Sequence, residues 1–491
     1  MKAGTRICLL GGCAIFAVSA QIPRFQHVVV IFQENRTPDN LFQGLCTPPY
    51  GSADACSSTA LAGKYDIQTD NWLDRTSTTG VTHPQIVALA NKYDLSHTHS
   101  AFVAMCDADP STGVCKMDGA AAIACSGTCS EKKPQFRFVD NSRGIVNPYL
   151  TLATQYGWAN LMFQTNQGPS FPAHQFIFGG TSAPSAADDA AGTFASENTG
   201  GASSLAGCTA PAGTTVELIH STGGENSKIY PCFEHQTMAD LLPPSITWRY
   251  YAPSAGSIWT APNAIDHICQ STGPGGTCVG NNWTNNVDLT PADVLRDIND
   301  CKLRSVSWVI PTGANSDHAN SNDGGGPSWV ASIVNAISAS KSCDSNTGYW
   351  NNTAIFITWD DWGGWYDHEP PVILAKPQGD YQYGFRVPLL VVSAYTPPGY
   401  INNVRHDFGS ILRFIEFNFG ITQGALNFAD ARATSDLTGF FDLTKPPRQF
   451  RAISAPKGAD FSCTTSAKRL IRTTNSRQGR QRVAVRQRIA G

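Results

Sequence analysis

The chain has 491 residues, 35 basic and 38 acidic, which is length for a large core with a net charge near neutral. Its ordinary globular composition excludes a mainly disordered chain. Beyond the first twenty residues no apolar stretch is long enough for an integral membrane span. The charge is uneven: eight basic residues and no acid lie between Lys468 and Arg488, so residues 21–460 are strongly acidic, which argues against a nucleic-acid partner.

In chain order, residues 1–20 read as a secretory signal peptide. Lys2 and Arg6 give the positive start, Ile7 to Val18 the apolar run, and Val18-Ser19-Ala20 the small residues before a cut near Gln21. Export implies an oxidising compartment, so a secreted or periplasmic chain is expected to pair its cysteines. Thirteen of the fifteen cysteines remain after the leader, and proximity suggests the pairs 46–56, 106–115, 125–129, 208–232, 269–278 and, more widely, 301–343. Cys463 is left over. No repeated CxxC pair with zinc-finger spacing occurs.

Four apolar runs mark the core. His27 to Phe32 is followed at once by Glu34-Asn35. Ser305 to Ile310 precedes Ser316-Asp317-His318. Ala354 to Trp359 runs into Asp360-Asp361, and Val387 to Val392 is the fourth. Continuous apolar strands predict an α/β fold with a sheet buried on both faces, mostly parallel. Ligands of such sheets gather at the carboxyl ends of the strands, where three of these runs deliver acids, Asn or His. Helical spacing is clearest over 328–338 and 410–419. Residues 181–235, rich in Ala, Gly, Ser and Thr, are expected to be a surface insertion pinned by Cys208–Cys232 in a catalytic domain spanning 21–460. The basic stretch 461–491 reads as a disordered tail.

Phosphoester cleavage needs cations over the phosphoryl oxygens, an activated nucleophile and a proton for the leaving oxygen. Asp360-Asp361, just past a strand, can turn toward one ion, and Gly363-Gly364 permits an unusual backbone path. The same residues also fit a glycine turn with solvated acids. Glu34-Asn35-Arg36 gains meaning only beside partner acids. Ser170 stands in a rigid Gly168-Pro169-Ser170-Phe171-Pro172 frame, as a nucleophile or as a turn serine. His318, following a core strand, is the histidine favoured for the site. His97, His99, His174, His267 and His368 each fit a ligand or a scaffold role.

Together the segments VVVIFQENRTPDNLF, GPSFPAHQFIFGG, SVSWVIPTGANSDHA, GPSWVASIVNAI, TAIFITWDDWGGWYDHEPP, FGSILRFIEFNFG and KPPRQF resemble, in order, a phosphoesterase family of bacterial and fungal acid phosphatases and phospholipases C. The resemblance implies an alkaline-phosphatase-like three-layer sandwich. It implies a divalent metal ion on Glu34, Asn35, Ser170, Asp360 and Asp361, with Ser170 as nucleophile and His318, His97 and His267 at the phosphate or the leaving group. Ca, Mg, Mn, Zn and Fe all fit such a donor set. Thr37-Pro38 and Glu369 depart from the family pattern without removing a proposed ligand. The expected partner is a phosphate ester, with a phospholipid diester as the alternative substrate. A surface-binding relative without activity is the rival from another class. Sequons fall at Asn35, Asn282 and Asn351, and a glycan on Asn35 would block the site. Oligomeric state is not legible.

Overall fold

The computed structural model describes residues 24–198, 205–375 and 379–455. The expected leader, Cys463 and the basic tail lie outside the described residues. The central sheet has eight strands: β1 (His27–Gln33), β2 (Gly157–Met162), β3 (Trp248–Tyr251), β4 (Val287–Asp288), β5 (Val306–Val309), β6 (Thr353–Trp359), β7 (Leu389–Val392) and β8 (Tyr400–His406). Their spatial order is β4-β3-β5-β1-β6-β7-β2-β8. β7 is antiparallel to both of its neighbours, and every other pairing is parallel. The α/β, mostly parallel reading therefore holds. It also explains why the fourth apolar run carries no acid or His at its end: its carboxyl end points to the opposite edge.

The main helices are α1 (His99–Cys106), α2 (Asn147–Gln155), α3 (Ser170–Gly179), α4 (Gly326–Ala339) and α5 (Phe408–Phe419). Both helices expected from periodicity are present and slightly longer. α4 gains a turn from Pro327 near its start, and Asp407 caps α5 by accepting from Ser410 N–H. Strand alternation fixes which face each helix covers. Val30 lies level with both Trp308 and Phe356. Phe178 of α3 meets Trp308 at 5.2 Å between ring centroids, and Phe414 of α5 meets Phe356 at 4.8 Å. Trp359, three residues on from Phe356, points the other way and meets Tyr149 of α2 at 5.0 Å. Helices thus cover both faces, giving three layers around one large core.

All six cysteine pairs suggested by proximity are disulfides: 46–56, 106–115, 125–129, 208–232, 269–278 and 301–343. The 181–235 segment is more built than a plain surface excursion. It carries a three-stranded antiparallel sheet, Phe194–Asn198 with Val216–Ile219 and Ser227–Ile229. Its own apolar cluster includes Val216 and Phe233 and takes in Phe171 from α3. That contact seats the insertion beside the first turn of α3. Among the described residues no helix is long and apolar enough to cross a membrane.

Candidate active site

β1 and β6 are adjacent and parallel, so Glu34-Asn35 and Asp360-Asp361 leave the sheet side by side. Glu34 keeps the facing of Val30 and Phe32, and Asp360 that of Phe356, which is the face covered by α3. α3 begins at this edge and runs back over the sheet, bringing Ser170 onto the carboxylates. Ser170 Oγ donates toward Glu34 Oε2 at 3.4 Å and Asp361 Oδ2 at 3.3 Å. Five of the predicted residues, Glu34, Asn35, Ser170, Asp360 and Asp361, therefore converge, and all are buried. The Asn35 sequon cannot carry a glycan in this fold, because its side chain is fully buried.

Sharp turns hold the two acid pairs. Asn35 has a left-handed φ of 61°, and its N–H donates to Asp360 Oδ1 at 3.1 Å. Asp361 N–H also donates to Asp360 Oδ1, at 2.8 Å, and Gly363 N–H donates to Asp361 Oδ1 at 2.7 Å. Gly363 has φ +65°, and a Cβ there would lie 2.5 Å from Asn35 O. A side chain would drive the two turns apart, so glycine is required here by the close approach of backbone to backbone.

The charge balance points to a cation. Glu34 is pushed well above the usual carboxylate range by burial and by Asp360. Asp361 is pushed up by burial and again by Asp360. Asp360 Oδ2 is buried without a hydrogen-bond partner. The neighbouring Arg36 does not neutralise them. Its guanidinium turns away to Asp317 O, Asn40 Oδ1 and Leu89 O. The Asn35 side-chain amide lies between Glu34 Oε2, at 3.2 Å, and Asp360 Oδ1, at 3.3 Å, within reach of any ion the two carboxylates would share.

His174 belongs to this cluster and was left open by the sequence. It lies one helical turn after Ser170, and its Nε2 sits 3.1 Å from Glu34 Oε1 and 3.8 Å from Asp360 Oδ2. Glu34, His174 and Asp360 form one of the groups able to hold a metal ion. Burial pushes the His174 ring down to about 4, so it is neutral near pH 7 and keeps a lone pair for a ligand. The i, i+4 spacing from Ser170 was the available signal.

His97 and His318 close the site, their rings 5.9 Å apart. Each ring is fixed by a backbone carbonyl: His97 Nδ1 bonds Leu95 O and His318 Nδ1 bonds Ala319 O, both at 2.7 Å. Nε2 is left as the nitrogen available to chemistry, and His97 Nε2 meets the Asn35 amide at 3.0 Å. Burial opposes a charge on His97, but Asp361 and Asp94 outweigh it and raise it to about 9. Burial lowers His318. Trp259, also missed, sits over both His318 and His174, with centroids at 6.1 and 6.4 Å.

The expectation for His267 is corrected. Its ring bonds Glu234 Oε1 at 2.8 Å and Asp240 at 3.1 Å, and none of its bonds reaches the carboxylate cluster. Those two acids, Asp240 first, raise its pKa to about 9, which marks an ion-pair histidine of the insertion's base. His99 caps no site either: its Nδ1 lies 2.9 Å from Glu225 Oε1.

Two buried hubs brace the site. On the opposite face of the sheet, Asp317 Oδ2 accepts from Tyr149 OH at 2.9 Å and Trp359 Nε1 at 3.0 Å, while its carbonyl accepts from Arg36. The segments carrying Asn35, His318 and Asp360 are thereby tied at one point. The second hub joins Arg386 to Asp66 and Asp367 at 2.9 Å each, with His368 bonded to Asp39 at 2.7 Å and Asp66 at 3.1 Å. Arg386 supplies positive charge to these acids, lying 3.6 Å from Asp39 Oδ1 as well. Burial opposes a charge on His368, yet Asp39 and Asp66 hold it up at about 10. Its folded pKa lies above the unfolded value, so its contribution is complete below about 6.5 and is lost as pH rises toward about 10. His368→Gln is therefore expected to lower the denaturant midpoint most at mildly acidic pH and little near pH 10. An equal loss at both would contradict the ion-pair role.

A strand-end cluster of carboxylates around a helix-borne serine, in a three-layer α/β frame, defines an α/β protein with a buried acidic group able to hold a metal ion. The chain belongs to the Phosphoesterase family, whose model matches residues 25–422. It is similar to the non-hemolytic phospholipase C of Burkholderia pseudomallei, 31% identical over 181 residues, covering 31% of this chain and 25% of that protein. It is also similar to the hemolytic phospholipase C of Pseudomonas aeruginosa, 23% identical over 461 residues, covering 85% of this chain and 56% of that protein. The chain thus spans a quarter to about half of the length of these relatives. Among solved structures, a protein in the alkaline phosphatase superfamily from Vibrio parahaemolyticus matches at a TM-score of 0.31 and 13% identity, covering 58% of this chain and 64% of that one.

Proposed function

We propose that this chain is an exported, metal-dependent hydrolase of phosphate esters, with Ser170 as the nucleophile. The observation that carries the reading is Ser170 Oγ held between Glu34 and Asp361 in a buried cluster of three carboxylates that, among the described residues, no Lys or Arg neutralises. Glu34, Asn35, Asp360, Asp361 and Ser170 would hold the cation, with His174 in reach. Five oxygen donors suit Ca, Mg or Mn, and the His174 nitrogen extends the range to Zn or Fe. When bound, the ion supplies positive charge for the phosphoryl oxygens and a lowered pKa for the serine hydroxyl. The six disulfides support export.

The chain's own groups do the rest. Ser170 begins a ten-residue helix, and the backbone N–H groups of Ser170 and Phe171 have no partner within it. They present hydrogen bonds and the positive end of the helix dipole to a phosphoryl group. Ser170 Oγ gives its proton to a carboxylate and attacks phosphorus in line. The bond to the alcohol oxygen breaks, and His97, kept charged by Asp361 and Asp94, donates a proton to that oxygen through Nε2, with His318 beside it. Water then attacks the phosphoserine, releasing phosphate and restoring the hydroxyl.

The relatives' names favour a second reading, a phospholipase C acting on lipid diesters. Assaying a phosphomonoester and phosphatidylcholine side by side, with added divalent metal, separates the two. Hydrolysis of neither would contradict both.

A further inference from the structure

β3 runs parallel to β5, and β5 to β1, so the chain leaves β3 at the same sheet edge as Glu34 and Asp360. The loop that follows, residues 252–260, carries Trp259. Its backbone is pinned from both sides. Tyr250, which packs against Phe178 of α3, donates its OH to Trp259 O at 2.8 Å, and Trp259 N–H donates to Ser257 Oγ at 3.2 Å. Thr260 Oγ1 donates to Ser254 O at 2.6 Å, and Ala206 of the insertion donates its N–H to Gly256 O at 3.0 Å.

These bonds hold the backbone and leave the indole to ring contacts. Its centroid lies 6.1 Å from that of His318, tilted by 40°, and 6.4 Å from that of His174, closer to parallel at 29°. His318 in turn faces His97 at 5.9 Å. Four rings thus follow one another around the carboxylate cluster. The two end rings touch it, His97 through Asn35 at 3.0 Å and His174 through Glu34 at 3.1 Å. They differ in depth. Ser170 and His174 are buried, whereas His97, His318 and Trp259 are half-buried. Those three therefore line the approach by which a phosphate ester reaches Ser170.

The approach is chemically divided. The two imidazoles suit phosphoryl and alcohol oxygens. Trp259 presents an aromatic carbon surface, part of it packed on the main core and part left to water. A flat apolar group laid on that open part gains burial and an offset ring contact.

Resting on the reading of Ser170 as the site of phosphoryl transfer, we propose that Trp259 is the specificity-determining residue of the approach: its ring receives the organic part of the ester, and an ester of a flat aromatic alcohol is bound in preference to a short alkyl ester. The alcohol oxygen then lies at the imidazole end of the row of rings and the alcohol's ring at the indole end. Trp259 touches no reacting atom and acts by positioning.

The test is binding, which needs no turnover. Benzylphosphonate and ethylphosphonate, in which carbon replaces the ester oxygen, are titrated calorimetrically into the full chain with added manganese. The wild type is expected to bind benzylphosphonate roughly three- to tenfold more tightly, the range that an aromatic ring contact contributes. Trp259→Leu keeps apolar bulk beside His174 but removes the ring, and is expected to bring the two affinities within about twofold of each other. Trp259→Phe keeps a ring and is expected to keep the preference. Equal binding by the wild type, or a benzylphosphonate preference that survives in Trp259→Leu, overturns the assignment. An equal loss for both ligands in Trp259→Leu overturns it too, because a residue that only props His318 and His174 would give that result. Turnover of phenyl phosphate by Ser170→Ala is read separately: it overturns the Ser170 reading and leaves the Trp259 assignment to the binding result.

Discussion

Ser170→Ala is expected to reduce turnover of any phosphate ester by about 10⁴-fold or more, because the nucleophile is lost and its partners cannot act alone. The fold should survive. The lost hydroxyl makes only two long contacts, at 3.3 and 3.4 Å, and its loss alters stability by about 1 kcal/mol or less. Steady-state kinetics and a denaturant midpoint, measured on one preparation, check both halves. Substantial turnover in a folded variant would remove Ser170 from its role. Loss of both turnover and folding is not what the packing predicts, because α3 is anchored by Phe176 and Phe178 in the main core.

The second large effect concerns the cation. Chelation is expected to lower activity roughly a thousandfold, since several kcal/mol of charge stabilisation is withdrawn from the phosphoryl oxygens. The same treatment should lower the unfolding midpoint, because a ligand bound only to the folded chain stabilises it. Asp361→Asn separates function from stability. Burial and Asp360 oppose ionisation of Asp361, so without metal its charge is a burden on the fold. The metal-free variant should therefore be more stable than metal-free wild type, by ~1–3 kcal/mol, while remaining inactive whatever metal is added. A metal-free wild type that keeps both its midpoint and its activity would contradict the cation site.

Much of this site was legible because it sits where strands end. β1 and β6 are continuous apolar runs, so the acids following each could be placed at one sheet edge before the order of strands was known. Ser170 was harder. Its strand, β2, ends at Met162, and the seven residues between carry no regular pattern. The resemblance, not the periodicity, singled out this serine. His174 follows from the i, i+4 spacing only once α3 is known to start at Ser170. His267 went astray because a short Asp-His-Ile-Cys stretch looks alike beside a phosphate or beside Glu234 and Asp240. The direction of β7 was invisible, since an apolar run carries no arrow. The Asp317 hub was beyond reach for a different reason. It joins Tyr149, 168 residues away, and Trp359, 42 residues away, and no local pattern records such a meeting. The disulfides were the opposite case: each closes a short or moderate loop, so nearness in sequence sufficed.

The central claim, a covalent phosphoserine at Ser170, is tested most directly by stereochemistry at phosphorus. An ester whose phosphoryl oxygens are isotopically chiral is turned over by the wild-type chain, with the phosphoryl group passed to an acceptor alcohol. Two successive in-line displacements, first by Ser170 and then by the acceptor, predict net retention of configuration. Net inversion would mean that the acceptor attacks the substrate directly and that Ser170 is not the nucleophile.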